Sequence, residues 1–239
     1  MNVIIKCHEA LGTAFITVEA LPMQVITGNL QLSLPIIDWQ ALSKPEQETQ
    51  VQQLINQKTQ EPFDLSQVPL LQVIILKLSS TEYVVIFTMH HIISDPWSTA
   101  VIIREIVALY PAFADGKPCA LPELPIQYAD FAVWQRQWLK REVLQNHLAY
   151  WKQKLGATLP VLKLPYVQNQ VATPSNQAGV QTFNLSAELT QALKIVSRQE
   201  KATLFMTMVA ALKTFLYRYT GQDEIVIRID VANRNRGET

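Results

Sequence analysis

Cysteine is scarce in this chain of 239 residues, which contains only Cys7 and Cys119. Two isolated cysteines cannot build a disulfide framework or the four-ligand set of a zinc ribbon, and they suit a reducing compartment. Lys6, His8 and Glu9 interrupt the first apolar residues, so the start of the chain does not have the pattern of a signal peptide. The longest apolar run, at 202–212, is too short to span a bilayer. We therefore expect a cytoplasmic protein.

Glycine is also sparse, and its distribution excludes several catalytic classes. None of the 7 glycines stands close to another, so no glycine-rich loop is available to hold a phosphate group. The G-x-S-x-G turn of serine hydrolases is absent. His8-Glu9 could begin an H-E-x-x-H zinc helix, but the second histidine position is occupied by Gly12. We predict no metal site and no directly bound cofactor.

The chain has no excess of charge of either sign. Its 20 basic and 20 acidic side chains balance, and no basic stripe stands out. Without a long-range field, attraction to nucleic acid or to an anionic membrane is not expected.

The hydrophobic pattern alternates between strand-like and helical segments, which predicts a mixed α/β fold with helices flanking a sheet. The runs at 70–78 and 83–89 are continuously apolar, as in strands buried on both faces. The polar segment 164–179 lacks apolar periodicity and predicts a linker. A hairpin is predicted at 15–26, turning near Leu21-Pro22, and strands are predicted at 180–185 and 224–229. Helices are predicted at 44–57, from Asp95 onward, over 128–155 and in two stretches after 186.

The stretch FTMHHIISDPW (87–97) combines a strand end, two histidines and a helix start. Asp95 is a favourable N-cap and Pro96 suits the first helical position, where its missing N–H is not needed. Adjacent His90 and His91 would project to opposite faces of a strand, so they are poorly placed to share a metal ion. Strand ends are where open α/β sheets place ligands.

One histidine could act alone in this stretch. An imidazole titrates near neutral pH and can take a proton or hold a reacting amine by a hydrogen bond. The alternative is structural: a histidine that only hydrogen-bonds at the strand end, and an aspartate that only caps the helix. Trp134 and Trp138, four residues apart, are expected to be core residues rather than a binding platform.

Several stretches, in the same order, resemble the condensation domains of nonribosomal peptide synthetases. Residues 90–96 resemble the family's H-H-x-x-x-D-G motif, which acyltransferase relatives share, and YADFAVW (128–134) matches Y-x-D-[FY]-A-V-W at every position. The remaining matches are CHEALGTAF (7–15) to R-H-E-x-L-R-T-x-F, EPFDLSQVPLLQV (61–73) to P-F-D-L…P-L-L, and 203–227 to the opening of the family's second lobe.

The resemblance implies two lobes, each like chloramphenicol acetyltransferase. Residues 1–163 would be the N-terminal lobe, incomplete at its start, 164–178 a linker, and 179–239 the beginning of the C-terminal lobe. It also implies carrier-protein partners within other synthetase modules, which present substrates on phosphopantetheine arms while the domain joins an amine to a thioester. His91 would act on the attacking amine, as base or by positioning. His90, Asp95, Pro96, Tyr128, Asp130 and Trp134 would be supporting residues.

The chain departs from the family's pattern at several positions. Both arginine positions of R-H-E-x-L-R-T are changed, to Cys7 and Gly12, although the resemblance implies that Asp95 pairs with an arginine there. Gly12→Arg would probe this lost pairing: a rise in stability or activity would support it, and no effect would point to another partner for Asp95. The motif glycine is Pro96, and the residues before ValAlaAsnArg also differ. The family's S-x-A-Q-x-R-x-W opening and much of its second lobe are not in this sequence.

These departures leave alternatives open. The chain is expected to be impaired as an enzyme, and it could be a catalytically inactive remnant or a fragment that only docks a carrier. A stand-alone acyltransferase or an epimerisation-type relative would keep the same histidines. The amino acids to be joined cannot be read from these residues.

Overall fold

The computed structural model of the chain describes residues 1–117, 121–156, 158–164 and 181–233. It divides into two compact units, one formed by Met1–Leu144 with Val231–Thr239 and the other by Gln145–Asp230. Cys119 and nearly all of the predicted linker lie outside the described residues. The lobe boundary at 163/164 therefore stays a prediction.

The first unit begins with helix α1 (Asn2–Cys7), a 3₁₀ turn (Glu9–Gly12) and an antiparallel hairpin of β1 (Thr13–Val18) and β2 (Leu21–Ile26). The predicted turn position is wrong by two residues, because the chain reverses at Glu19 and Ala20, both with positive φ. A two-residue loop with this backbone matches the twist of its strands. Pro22 instead lies within β2 opposite Thr17.

The sheet that carries the histidine motif has three strands in the order β3 (Ile36–Asp38), β4 (Leu71–Lys77) and β5 (Tyr83–Met89). β4 is central, parallel to β3 and antiparallel to β5. Both long strands are confirmed. The prediction that both are fully buried is wrong for β5, where Tyr83 and Val85 are exposed. Helix α2 (Lys44–Gln60) begins at a Ser43–Glu46 capping box and covers part of the sheet.

Helix α3 (Pro96–Ala114) follows β5 and packs beside α1. Ile102 and Leu109 face a core that also contains Ile4, Leu70 and Leu71. In the part of the chain that the structure describes, α3 is the only helix long and apolar enough to span a membrane by composition, a test that core helices also pass. Helices α4 (Tyr128–Trp138) and α5 (Arg141–Leu155) follow, separated where Arg141 adopts a positive φ.

The second unit is built on α6 (Ala187–Gln199) and α7 (Leu204–Thr220), capped by Ser186 and Thr203. Between them, the buried Ser197 hydroxyl lies 2.7 Å from that of Thr207. The strands predicted at 180–185 and 224–229 are wrong for their described residues, which form neither strand nor helix. A strand needs a neighbour to satisfy its N–H and C=O groups, and the described residues provide none to these segments.

Candidate active site

The site begins where β5 ends and the chain turns toward α3. The His90 N–H donates to the Leu70 oxygen at 3.0 Å, so its backbone continues the pairing with β4. The His90 oxygen then accepts from the Ile93 N–H at 3.1 Å and the Ser94 hydroxyl at 3.3 Å. The Ile93 side chain is only 8% exposed and belongs to the core. The sheet and the core thus fix the loop that carries His91.

His91 is exposed at the outside of this turn. Its Nδ1 lies 2.5 Å from the Ser94 carbonyl oxygen. A carbonyl oxygen only accepts, so Nδ1 carries the hydrogen and the neutral ring has its lone pair on Nε2. Nε2 makes no hydrogen bond within the described residues. The ring is therefore oriented by one nitrogen and can accept a hydrogen or proton with the other.

His90 is half-buried and turned a different way from its neighbour. Its Nδ1 accepts the Ile92 N–H at 3.0 Å. The Phe63 ring stands nearly perpendicular to the imidazole, with ring centroids 6.1 Å apart. Next to Phe63, the Ser66 hydroxyl and N–H hold the pKa of Asp64 below its ordinary value. The two segments at 61–73 and 90–96 that suggested the family therefore meet in space.

Asp95 caps α3, as predicted. Its Oδ1 accepts the Ser98 N–H at 2.7 Å and the Ser98 hydroxyl at 2.5 Å. Pro96 occupies the first helical position and is exposed. These contacts tie the end of the His91 loop to the helix.

We expect Asp95→Ala to lower the free energy of unfolding by about 1 kcal/mol, the usual effect of losing an N-cap acceptor. Asp95→Asn keeps the cap without the charge and should lose much less, since the two residues cap about equally well. Urea unfolding of the three proteins measures both effects. Equal losses in both variants would contradict a capping role and indicate that the charge of Asp95 is what the fold requires.

Cys7 and Gly12, where the family's motif has arginines, make other contacts here. The Cys7 oxygen accepts the Gln127 side-chain N–H at 2.9 Å. Gly12 lies against the end of β2, where a Cβ would stand 2.9 Å from the Thr27 backbone oxygen. A side chain at position 12 therefore requires the backbone at Gly12 or Thr27 to shift, and a gain in stability from Gly12→Arg is not expected.

Two interactions near the site were missed by sequence reasoning. His8 Nε2 lies 2.9 and 2.8 Å from the two carboxylate oxygens of Glu105, joining α1 to α3. Gln127 bonds to the backbone on both sides of His8: its Nε2 donates to the Cys7 oxygen, and its Oε1 accepts the Glu9 N–H at 3.2 Å. The partners are 97 to 120 residues apart in sequence, so no spacing rule could have paired them.

A double-mutant cycle on His8 and Glu105 should show a coupling free energy of about 1 kcal/mol, as expected for partly buried residues in direct contact. The variants are His8→Ala, Glu105→Ala and the double replacement, compared by urea unfolding. Additive losses would show that the pair does not link the two helices in solution.

The first residues of the YADFAVW segment lie at the start of α4, close to the His91 loop. The Asp130 carboxylate accepts the Gln127 N–H at 2.9 Å and caps its own helix. Tyr128, 58% exposed, lines a shallow surface depression together with its neighbour Ala129 and with Ile92 of the loop. The start of α4 and the loop that carries His91 therefore share one depression.

The tryptophans of α4 lie further along the helix. Trp134 is half-buried and stacks on Trp138 with ring centroids 5.6 Å apart. Trp138 is 43% exposed, so the prediction that it is a core residue is wrong. Neither tryptophan is among the residues named above as lining the depression.

Comparison with known proteins supports the resemblance along the whole chain. The family model described as condensation domain matches residues 1–239. A linear gramicidin synthase protein of Brevibacillus parabrevis is 43% identical over 239 residues, covering 100% of this chain and 5% of that protein. Phosphinothricin tripeptide synthetase PhsC of Streptomyces viridochromogenes is 36% identical over 238 residues, covering 100% of this chain and 22% of that protein.

Solved structures show the same fold. The SgcC5 protein of Streptomyces globisporus is 25% identical with a TM-score of 0.75, covering 99% of this chain and 53% of that one. The X-domain from teicoplanin biosynthesis is 24% identical and superposes with a TM-score of 0.76 over 91% of this chain and 48% of that one. The chain thus spans about half of these structures, and the expected chloramphenicol acetyltransferase-like α/β fold is confirmed. The chain belongs to the condensation domain family.

Proposed function

We propose that this chain contributes the His91-bearing part of a condensation domain that forms amide bonds between carrier-bound thioesters. The observation that carries the proposal is the exposed His91 ring, whose Nδ1 is engaged by the Ser94 oxygen while Nε2 keeps a lone pair. Membership of the condensation domain family supplies the class of reaction.

In the proposed reaction the α-amine of an acceptor aminoacyl thioester attacks the carbonyl carbon of a donor thioester. The C–N bond forms, the C–S bond breaks, and the leaving thiolate takes up the proton that the amine loses. His91 Nε2 would accept a hydrogen bond or the proton from the amine. Because thioester aminolysis is favourable, holding amine and carbonyl in reach accounts for much of the rate.

The partners would be carrier-protein domains, which bring both substrates on phosphopantetheine arms, within the other modules of a synthetase in the cytoplasm. The peptide synthetases that match this chain are much longer than it is. The chain would therefore act as part of a larger assembly, and this chain itself would bind no cofactor directly.

The test is to load one carrier domain with an aminoacyl donor and a second with an aminoacyl acceptor, and to add the chain. Dipeptidyl product on the acceptor carrier, above the rate without the chain, supports the proposal. No product, combined with carrier binding in a pull-down or titration, would contradict it and favour the inactive, carrier-docking alternative.

A further inference from the structure

The two adjacent histidines require opposite tautomers. The Ile92 N–H points at His90 Nδ1 across 3.0 Å. A backbone N–H only donates, so His90 Nδ1 must carry the lone pair and Nε2 the hydrogen. His91 has the reverse arrangement, since its Nδ1 faces a carbonyl oxygen.

The hydrogen bond that His90 Nδ1 accepts lies within the loop that carries His91. Backbone hydrogen bonds join His90 to Leu70 and to Ile93, and the Ile93 side chain is buried. Between these anchors, the His90 ring accepts the Ile92 N–H. Ile92 directly follows His91, so this bond helps to set the backbone from which the His91 ring projects. A His90 ring with hydrogens on both nitrogens would place N–H against N–H and open the turn.

We propose that His90 is a positioning residue that works as a lone-pair acceptor: its Nδ1, held unprotonated, fixes the Ile92 N–H and thereby aims His91. The tautomer follows from the geometry alone, whereas the effect on rate rests on the proposed function. Asparagine can replace histidine in this role, because its Oδ1 is bonded to Cγ as Nδ1 is, and asparagine commonly accepts the N–H two residues on. Glutamine carries its amide one carbon further out and does not match that position.

The first test is a nitrogen NMR spectrum of the intact chain with labelled histidines. The chain has 4 histidines, and the ring signals lost in His90→Asn and His91→Asn identify the two of interest. We expect an unprotonated Nδ1 in His90 and a protonated Nδ1 in His91. A hydrogen on His90 Nδ1 would overturn the proposal without requiring any activity.

The second test compares His90→Asn with His90→Gln in the carrier-loading assay. We expect roughly a hundredfold loss of rate for glutamine, the size of effect that a small misplacement of a reacting group can cause, and roughly tenfold or less for asparagine. Urea unfolding and circular dichroism establish that both variants are folded. Equal losses in two folded variants would overturn the positioning role. A parent chain without activity contradicts the proposed function instead, and the spectrum then decides the tautomer by itself.

Discussion

His91→Ala is expected to slow dipeptide formation by about a hundredfold or more, which is the usual contribution of a positioned proton-transferring group. Alanine removes both the bond to the Ser94 oxygen and the Nε2 lone pair that faces outward. The measurement is the initial rate of dipeptidyl thioester formation with both carriers saturating.

Two control variants distinguish the loss of the Nε2 lone pair from the general effect of replacing a histidine. His147→Ala removes an exposed histidine on α5, outside the motif in sequence, and should leave the rate near that of the parent. His91→Asn can still donate toward the Ser94 oxygen from the position of Nδ1 but has nothing at Nε2, so it should be as slow as alanine. Activity in His91→Asn close to the parent would show that Nε2 has no part in the reaction.

Gly12→Arg is expected to lower the free energy of unfolding by roughly 3 kcal/mol or more, because it forces a Cβ against backbone and places a charge at a buried position. Gly12 is buried, and its Cβ would meet the Thr27 oxygen at 2.9 Å. A hydrogen bond holds these two backbone segments together, because the Thr27 N–H donates to the Gly12 oxygen at 2.9 Å. Neither backbone segment can rotate away as a side chain would.

Gly28 offers a matched control beside this contact, directly after Thr27. A Cβ at Gly28 meets nothing within 4 Å, so Gly28→Arg should change the stability by no more than about 0.5 kcal/mol. Gly12→Ala isolates the clash from the charge and should lie between the two arginine variants. A Gly12→Arg protein at least as stable as the parent would show that the end of the hairpin shifts and that the arginine finds a carboxylate.

Helix starts and strands were predictable from the sequence where a few neighbouring residues decide whether they form. Asp95 and Pro96 form a helix start because an N-cap acceptor and a proline at the first position both favour it, and the structure places them in those roles. The long strands β4 and β5 were likewise readable from their apolar runs. The hairpin was found but its turn was not, since Glu19 and Ala20 adopt positive φ without the glycine or asparagine that usually marks such a turn.

The strand predictions in the second unit failed for a different reason. The pattern of 224–229 suits a strand, yet strand formation depends on a hydrogen-bonding neighbour that the pattern itself does not supply. The site shows the same dependence on distant partners. Nothing in the sequence joins His8 to Glu105, or Gln127 to Cys7, because these contacts exist only after the helices pack.

The order of the motifs was sufficient to predict the family and the mixed α/β fold, because short stretches of the chain determine caps, strands and their sequence. Tertiary structure alone decided that Gly12 faces the Thr27 backbone and that His8 contacts Glu105. Such features depend on the position of a partner atom within a few tenths of an ångström, and that position is set by packing between segments far apart in the chain.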